Sequence, residues 1–578
     1  MTRFAAVAVS LFCSLLAFTQ ELPAPAKLIF TPRGNVLVAS AMPGANAGTV
    51  SLIPRGLGNP TTVFTGLPSA LTSGPAGLAM RGKTLYVLIG EADAVIPGPV
   101  PGSEMQNPAP ASTFRSAIVS FAMEYAIDEH PNFEDDIPAV IALHEGQRAA
   151  LAAGQTVQVA TRLSRFKGTA KMLVDFDDHR AQPLPGFAGN VRASNPYGMV
   201  LHGDALYVVD AGWSSVRKVD LATGSTSTVT ELDGVPSSIR LDGDRLLVTL
   251  FTGSSSVVAI DPETGSQTPA LTGLTSAIDV AAVGIGDDKR YVVAEFAPGR
   301  ITVHEPGQAP VTLASDLASP TSMVVHSGTR EVFVARLADS VLRIDAAASL
   351  PLPLPAAIIP VIASVTGAFG SRFETSLQLV NSEAYALAGT LVLHTADGSR
   401  EIPYLVGSHR VDLIPSLGEE FDFSGPASLD IVPAIGPAPR ALARIFDTSQ
   451  GASTRGEMIE QVPLRDALQA GERAVLTSGD RARNQRTNIG VRALGGGATV
   501  RLTLRIIPNL VFTTATLTLA PNELVQQSLV GLLRFPGTLG QQHTIDVEVV
   551  SGAAIAYVAI VDNETQETSW HRAIRIEE

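Results

Sequence analysis

The stretch SNPYGMVLHGDALYVVDAGWSSVRKVDL, residues 194–221, sets two short apolar strands around a His202-Gly203-Asp204 turn and starts a third behind Gly212. The same phrase then returns. Aligned on the apolar strand after each turn, the copies are NVLVASA from Asn35, TLYVLIG from Thr84, ALYVVDA from Ala205, RLLVTLF from Arg245, RYVVAEF from Arg290 and EVFVARL from Glu331. The last four start 40, 45 and 41 residues apart, the spacing of β-propeller blades. The fourth copy shows a whole unit: SSIRL inside, the DGD turn, RLLVTLF, then SSVVAIDPETG and SQTPALTGL outside. No such strand is long enough to bury an apolar face alone, so the units must stack around an axis. The turns RGN, RGK, HGD, DGD and SGT put glycine where a hairpin needs positive φ.

Between Thr84 and Ala205 the phrase is missing. Residues 126–168 contain FEDDIPAVIALHEGQRAALAAGQ, which opens with Asp135, Asp136 and Pro138, continues in good helix formers and predicts a surface helix inserted in one blade. That blade resumes with AKMLVDF at Ala170. Six blades over residues 28–347 follow; seven is the alternative, since three periods would also fill the gap. The last copy ends at VLRIDAA, so either residues 22–26 supply its outer strand or it has three strands.

At 578 residues the chain is too long for one core. A hydrophobic fraction of 45%, only 17% charged residues, 51 Gly and 39 Pro suit many short strands and tight turns, so the expected class is all-β. Residues 1–20, MTRFAAVAVSLFCSLLAFTQ, place Arg3 before an apolar run and read as a secretory signal peptide cut near Gln20, hence a periplasmic or extracellular protein. The single cysteine, Cys13, lies inside that segment, which leaves the mature chain without thiol or disulfide chemistry. No later run is apolar enough for a membrane span. Without Arg3 the balance is 40 basic against 55 acidic residues, which argues against nucleic acid as a partner.

Ser194-Asn195-Pro196-Tyr197-Gly198 followed by Asp210-Ala211-Gly212 resembles the ScyD/ScyE family of exported bacterial propellers, and the other blades resemble NHL-type repeats more generally. The resemblance covers roughly residues 28–347 and implies a propeller fold and an exported location. It brings no catalytic residues. Where the family continues with glycine and asparagine, this chain has Trp213 and Ser214.

After a proline-rich linker, residues 348–360, the pattern changes. FETSLQLVNSEAYALAGTLVLHTADG from Phe373 parallels RTNIGVRALGGGATVRLTLR from Arg486, and ALARIFDTSQGAS from Ala441 parallels YVAIVDNETQETS from Tyr557. Alternation in TVRLTLRI and TIDVEVV marks half-buried antiparallel strands, so two tandem β-sandwiches are expected, residues 361–470 and 471–578.

Propeller sites sit where the loops before the innermost strands converge. Candidate ligand-binding residues there are Asn195 and Tyr197 from blade three and Asp279 from blade five, with Ser237 and Thr321 nearby. Asn195 and Asp279 could hold calcium as a cofactor; the alternative has Asn195 capping its turn and Asp279 solvated. The column ending the second strands reads Ser40, Ile89, Asp210, Leu250, Glu295 and Arg336. Asp210, Glu295 and Arg336 would bind a polar ligand, or Glu295 and Arg336 would form an ion pair between neighbouring blades. DFDDH, residues 175–179, lacks the spacing of a calcium hand; HExxH and GxSxG do not occur. The reading this supports is a secreted, non-catalytic binding or scaffold protein whose partner is a protein, a glycan or a small metabolite. The alternative is a calcium-dependent lactonase or related hydrolase with its site at the channel mouth. A quinone-dependent sugar dehydrogenase would need a channel histidine, and His202 and His326 fall at strand ends.

Overall fold

The computed structural model describes residues 18–576 apart from 55–58, 71–72, 126, 128–139, 163–165, 253–254, 285–288, 327–328, 339, 352–354, 368–369, 384–385, 435–436, 450–455, 478–483, 508–509, 535–542 and 566. It divides into two compact units, Met1–Pro351 and Leu352–Glu578.

Six sheets, each with four antiparallel strands ordered from the axis outward, form the ring of the first unit. Blade one is Pro25–Phe30, Val36–Ser40, Gly48–Ile53 and Thr61–Leu67; blade two is Pro75–Arg81, Thr84–Ile89, Ala117–Met123 and Lys167–Asp175. Blade three starts with Pro196–His202 and Ala205–Asp210, blade four with Pro236–Asp242 and Arg245–Leu250, blade five with Ala277–Val283 and Arg290–Glu295, and each adds two outer strands. Blade six is Pro320–His326, Glu331–Arg336, Ser340–Asp345 and, outermost, Phe18–Glu21. Innermost strands touch their neighbours all the way round, blade one against blade six included. The ring therefore closes with an N-terminal strand, four residues earlier than residues 22–26 would have it. Gln20 lies within that strand and pairs with Val341.

Apolar side chains explain why the blades stack. Each junction holds its own cluster: Leu37 and Leu78 between blades one and two, Leu88 and Leu206 between two and three, Val209 and Leu246 between three and four. Leu247 and Val293, Ile301 and Met323, and Leu28 and Phe333 do the same at the remaining three. Burying a large aliphatic side chain stabilises by about 1.5–3 kcal/mol, so the blades owe their stability to one another.

Among its described residues, the insertion in blade two carries one short helix. Asp135, Asp136 and Pro138 lie outside the described residues, Ile141–Ala142 runs parallel to the outer strand of blade one, and the helix is only Glu145–Ala152. It starts there because His144 Nδ1 accepts from the Gln147 N–H while the Gln147 side chain accepts from the His144 N–H, a reciprocal cap. Val157–Ala160 then extends blade two by a fifth strand.

In the second unit, Ala357–Thr366 pairs at its start with Gly425–Pro433 in one sheet and at its end with Arg372–Val380 in another. The two sheets enclose Ile359, Leu377, Leu391, Leu429 and Ala443, an arrangement compatible with a β-sandwich. The next sheet is built on two long strands, Gln485–Ile507 and Thr544–Asp562, whose pairing shifts register between Ala493 and Ala498, where Gly497 and Gly552 meet. A Cβ on Gly552 would lie 2.1 Å from the Gly497 carbonyl oxygen, so this crossing requires glycine.

Candidate functional site: a sealed axis and its rim

Five of the six innermost strands begin with proline, and all six slip register by one residue just inside. The residue after the slip is Lys27, Gly77, Gly198, Ser238, Asp279 and Ser322 in turn. This ring position decides what the axis can hold. Gly77 and Gly198 leave room there, and Lys27 and Arg240 fill it.

Lys27 Nζ of blade one donates across the ring to the Ser237 carbonyl of blade four at 2.7 Å. Arg240, also from blade four, runs the other way. Its Nε and Nη2 donate to the two oxygens of Asp279 at 3.0 and 2.6 Å, and Nη2 also reaches the Met323 carbonyl of blade six at 2.9 Å. Asp279 is fully buried and accepts further from Ser322 Oγ at 2.8 Å, the Met323 N–H at 3.0 Å and its neighbour's Val280 N–H at 2.9 Å. Five donors thus converge on one carboxylate. Burial alone would push that carboxyl up, but the Arg240 charge and hydrogen bonds, then Lys27 and the Met323 amide, hold it down at about 2. Burial drags the Lys27 amine to about 8, with Asp279 opposing and Arg240 adding to the fall. The remaining cavity on the axis measures about 10 Å³, the space of one water.

Above this plug lies the face on which innermost strands begin. Tyr197 is half-buried there, its ring 4.6 Å from Lys27 Nζ, and it packs against the cluster between blades five and six together with Phe251 and Phe296. These two rings follow the second strands of blades four and five and meet edge to face at 5.8 Å. Beside them the same face carries two extra hairpins, Val95–Pro97 with Glu104–Gln106 and His179–Ala181 with Val191–Ala193, tied by the Glu104 N–H donating to Asn190 Oδ1 at 2.8 Å. Glu91 is half-buried under them. Burial, reinforced by Glu104 and Asp210, pushes its carboxyl up to about 7, so it exchanges a proton near neutrality.

The residues expected from sequence do not converge on one point. Asn195 Oδ1 accepts from the Glu91 N–H at 3.5 Å on the rim between blades two and three, whereas Asp279 sits within the plug. Asp210 accepts from Ser194 Oγ at 2.6 Å, the Asn195 N–H at 2.9 Å and the Trp213 N–H at 3.0 Å, and pairs with Arg217 at 3.4 Å. Glu295 binds Arg300 of its own blade at 2.6 Å and accepts from the Thr275 N–H; Arg336 donates to Ser340 Oγ at 2.8 Å. Each of these three fastens the end of a second strand to the start of the third. Ser237 Oγ donates to the Ala277 carbonyl and Thr321 Oγ1 to the Pro25 carbonyl, linking adjacent blades. His202 packs on Tyr207, and His326 meets Phe30 edge-on. Trp213, at the position where the ScyD/ScyE pattern differs, stacks with Arg180 and Arg217 at 5.3 and 5.0 Å. Among the described residues no group of three or more His, Cys, Asp and Glu side chains is placed to hold a metal ion, and no helix is long and apolar enough to cross a membrane.

Lys27, Arg240 and Glu91 were not picked out by sequence reasoning. Only Lys27 follows a positional pattern, proline followed two residues later by the residue after the register slip; Arg240, four residues after Pro236, and Glu91, beyond the end of a second strand, stand outside it.

No family model and no curated protein matches the chain. Among solved structures it is similar to a catalytically inactive virginiamycin B lyase from Staphylococcus aureus with quinupristin, at 15% identity and a TM-score of 0.31, over 57% of this chain and 99% of that one. An auxiliary nutrient binding protein from Bacteroides ovatus is 11% identical, with a TM-score of 0.33 over 56% of this chain and 69% of that one. The WD40 β-propeller domain of Doa1 is 8% identical, with a TM-score of 0.29 over 56% and 94%.

Proposed function

We propose that the chain is a secreted binding or scaffold protein whose ScyD/ScyE-like propeller presents a ligand surface on the face around Tyr197, Phe251 and Phe296 and does not turn the ligand over. The observation that carries this reading is the plug. The Asp279 carboxylate already accepts five hydrogen bonds and holds the charge of Arg240, so it offers neither a base nor a ready ligand for calcium. What the face offers instead is aromatic surface, on which a glycan ring, a planar metabolite or a protein side chain stacks. In this reading the leader is cut before Phe18, because a cut at Gln20 would remove most of the outer strand of blade six.

The test is a melting-temperature screen of glycans, metabolites and calcium on wild type, Tyr197→Ala and the Phe251→Ala, Phe296→Ala double variant. The reading expects at least one organic ligand whose shift disappears in both variants, and no shift with calcium. A calcium shift abolished by Asp279→Ala would favour the lactonase-type alternative, and organic hits indifferent to both variants would remove the proposed surface.

A further inference from the structure

Leu510–Leu519, ten residues, is the outermost strand of its sheet in the C-terminal unit and pairs on one side with Ala498–Ile507. Among the described residues no backbone hydrogen bond is made from its other side, so a row of N–H and C=O groups lies open along that edge. The strand reads LVFTTATLTL, with five β-branched residues and neither charge nor proline. Exposed edges are ordinarily blocked by charge or proline, and this unit blocks others that way. Gly398–Val406, its other long edge strand, carries Arg400, Glu401 and Pro403, and Gly456–Glu460 carries Glu457 and Glu460. The open strand also presents apolar side chains, Leu510 being 52% and Val511 48% exposed.

We propose that this edge pairs antiparallel with the same edge of a second copy of the chain, joining two sheets across a two-fold axis. The strand is matched to itself. The chain carries a net charge of −14, and ten uncharged residues let two copies meet without setting like charges opposite one another. Ala515 and Leu517 pack against the core of their own sheet, and a two-fold pairing keeps the core-facing residues of both copies on one side. Leu519 is already buried, so the overlap spans Leu510–Thr518 and centres on Thr514. That register sets Val511 opposite Leu517 and Thr513 opposite Ala515 on the core side, with Thr514 opposite itself on the other. The sheet's remaining edge strands, Leu524–Ser528, Thr568–Arg572 and Ile574–Arg575, run to five residues at most. Pairing by the one long edge therefore closes at two copies.

Sedimentation equilibrium of the full chain at micromolar concentration should give twice the mass of one chain. Thr514→Lys changes an exposed position and sets two like charges against each other at the centre of the pairing. It should sediment as a single chain with an unchanged circular dichroism spectrum. In a Cys13→Ser background, Thr514→Cys meets its own copy at the roughly 4.5–5.5 Å between opposed Cα atoms, within disulfide reach, and should crosslink under mild oxidation. Thr518→Cys, whose counterpart in the second copy lies eight positions along the strand and roughly 27 Å away, should not. A single-chain mass for the wild type, a mass beyond two copies, a Thr514→Lys protein that is still dimeric, or no crosslink at Thr514 would each overturn the proposal.

Discussion

Replacing Asp279 by asparagine keeps the shape of the axial plug and removes its only negative charge. Arg240 and Lys27 are then left facing each other across a closed axis, both within the field of a neutral amide. Two routes give the size of the effect. A carboxyl held at about 2 instead of its ordinary 3.8 contributes roughly 2 kcal/mol wherever it is ionised in both states. Breaking a buried pair and stranding its cation costs about 3–5 kcal/mol. About 3 kcal/mol is therefore expected at pH 7. The folded carboxyl is the stronger acid, so its contribution is present above about pH 4 and fades as pH falls toward 2. The gap between wild type and variant should shrink over that interval. Urea unfolding followed by Trp213 emission, in a Trp570→Phe background where Trp213 is the only indole, reads the propeller alone. A difference under about 1 kcal/mol at pH 7, or one that stays constant down to pH 2, would refute the assignment of the plug as the element that ties the ring together.

Glu91→Gln should act in the opposite pH direction. The folded carboxyl, at about 7, is the weaker acid, so the wild type loses stability as pH rises from 4.5 through 7, and the variant should exceed it by up to about 3 kcal/mol at pH 8 while matching it near pH 4.5. Asp210→Ala removes the acceptor shared by Ser194, Asn195 and Trp213 and leaves Arg217 without its partner; a loss of about 3 kcal/mol is expected, with faster amide exchange at Asn195 and Trp213 and little change in blades five and six. Deleting Phe18–Glu21 uncovers the edge of Ser340–Asp345, so the propeller's melting temperature should fall and its tendency to aggregate rise. An unchanged transition would mean that blade six holds with three strands.

The ring was legible in sequence because its information is local. A turn glycine, an apolar second strand and a period near 40–45 recur within a few dozen residues, and each blade repeats the statement. Its closure was less so: the strand Phe18–Glu21 lies within a segment whose apolar residues also read as a leader, and two physical demands on the same residues cannot be separated by pattern alone. The helix beginning at Glu145 was displaced for a related reason. Acidic residues and proline at 135–138 point to an earlier start and lie outside the described residues, whereas the cap of the described helix is His144 with Gln147. The plug was invisible because it is made by contacts over 210 positions of sequence, from Lys27 to Ser237, and by an arginine that serves three other blades at once. Asp210, Glu295 and Arg336 were correctly seen as an aligned column of polar groups, yet alignment along the chain did not tell that each is already claimed by its own blade.

Lys27 gives the most direct test that the axis is sealed. Its amine can be titrated by nuclear magnetic resonance in protein carrying isotope-labelled lysine, with Lys27→Arg to assign the signal. A plug closed across the ring predicts a midpoint of about 8. A midpoint at the ordinary 10.5 would place that amine in water and contradict the sealed axis on which the proposed binding face rests.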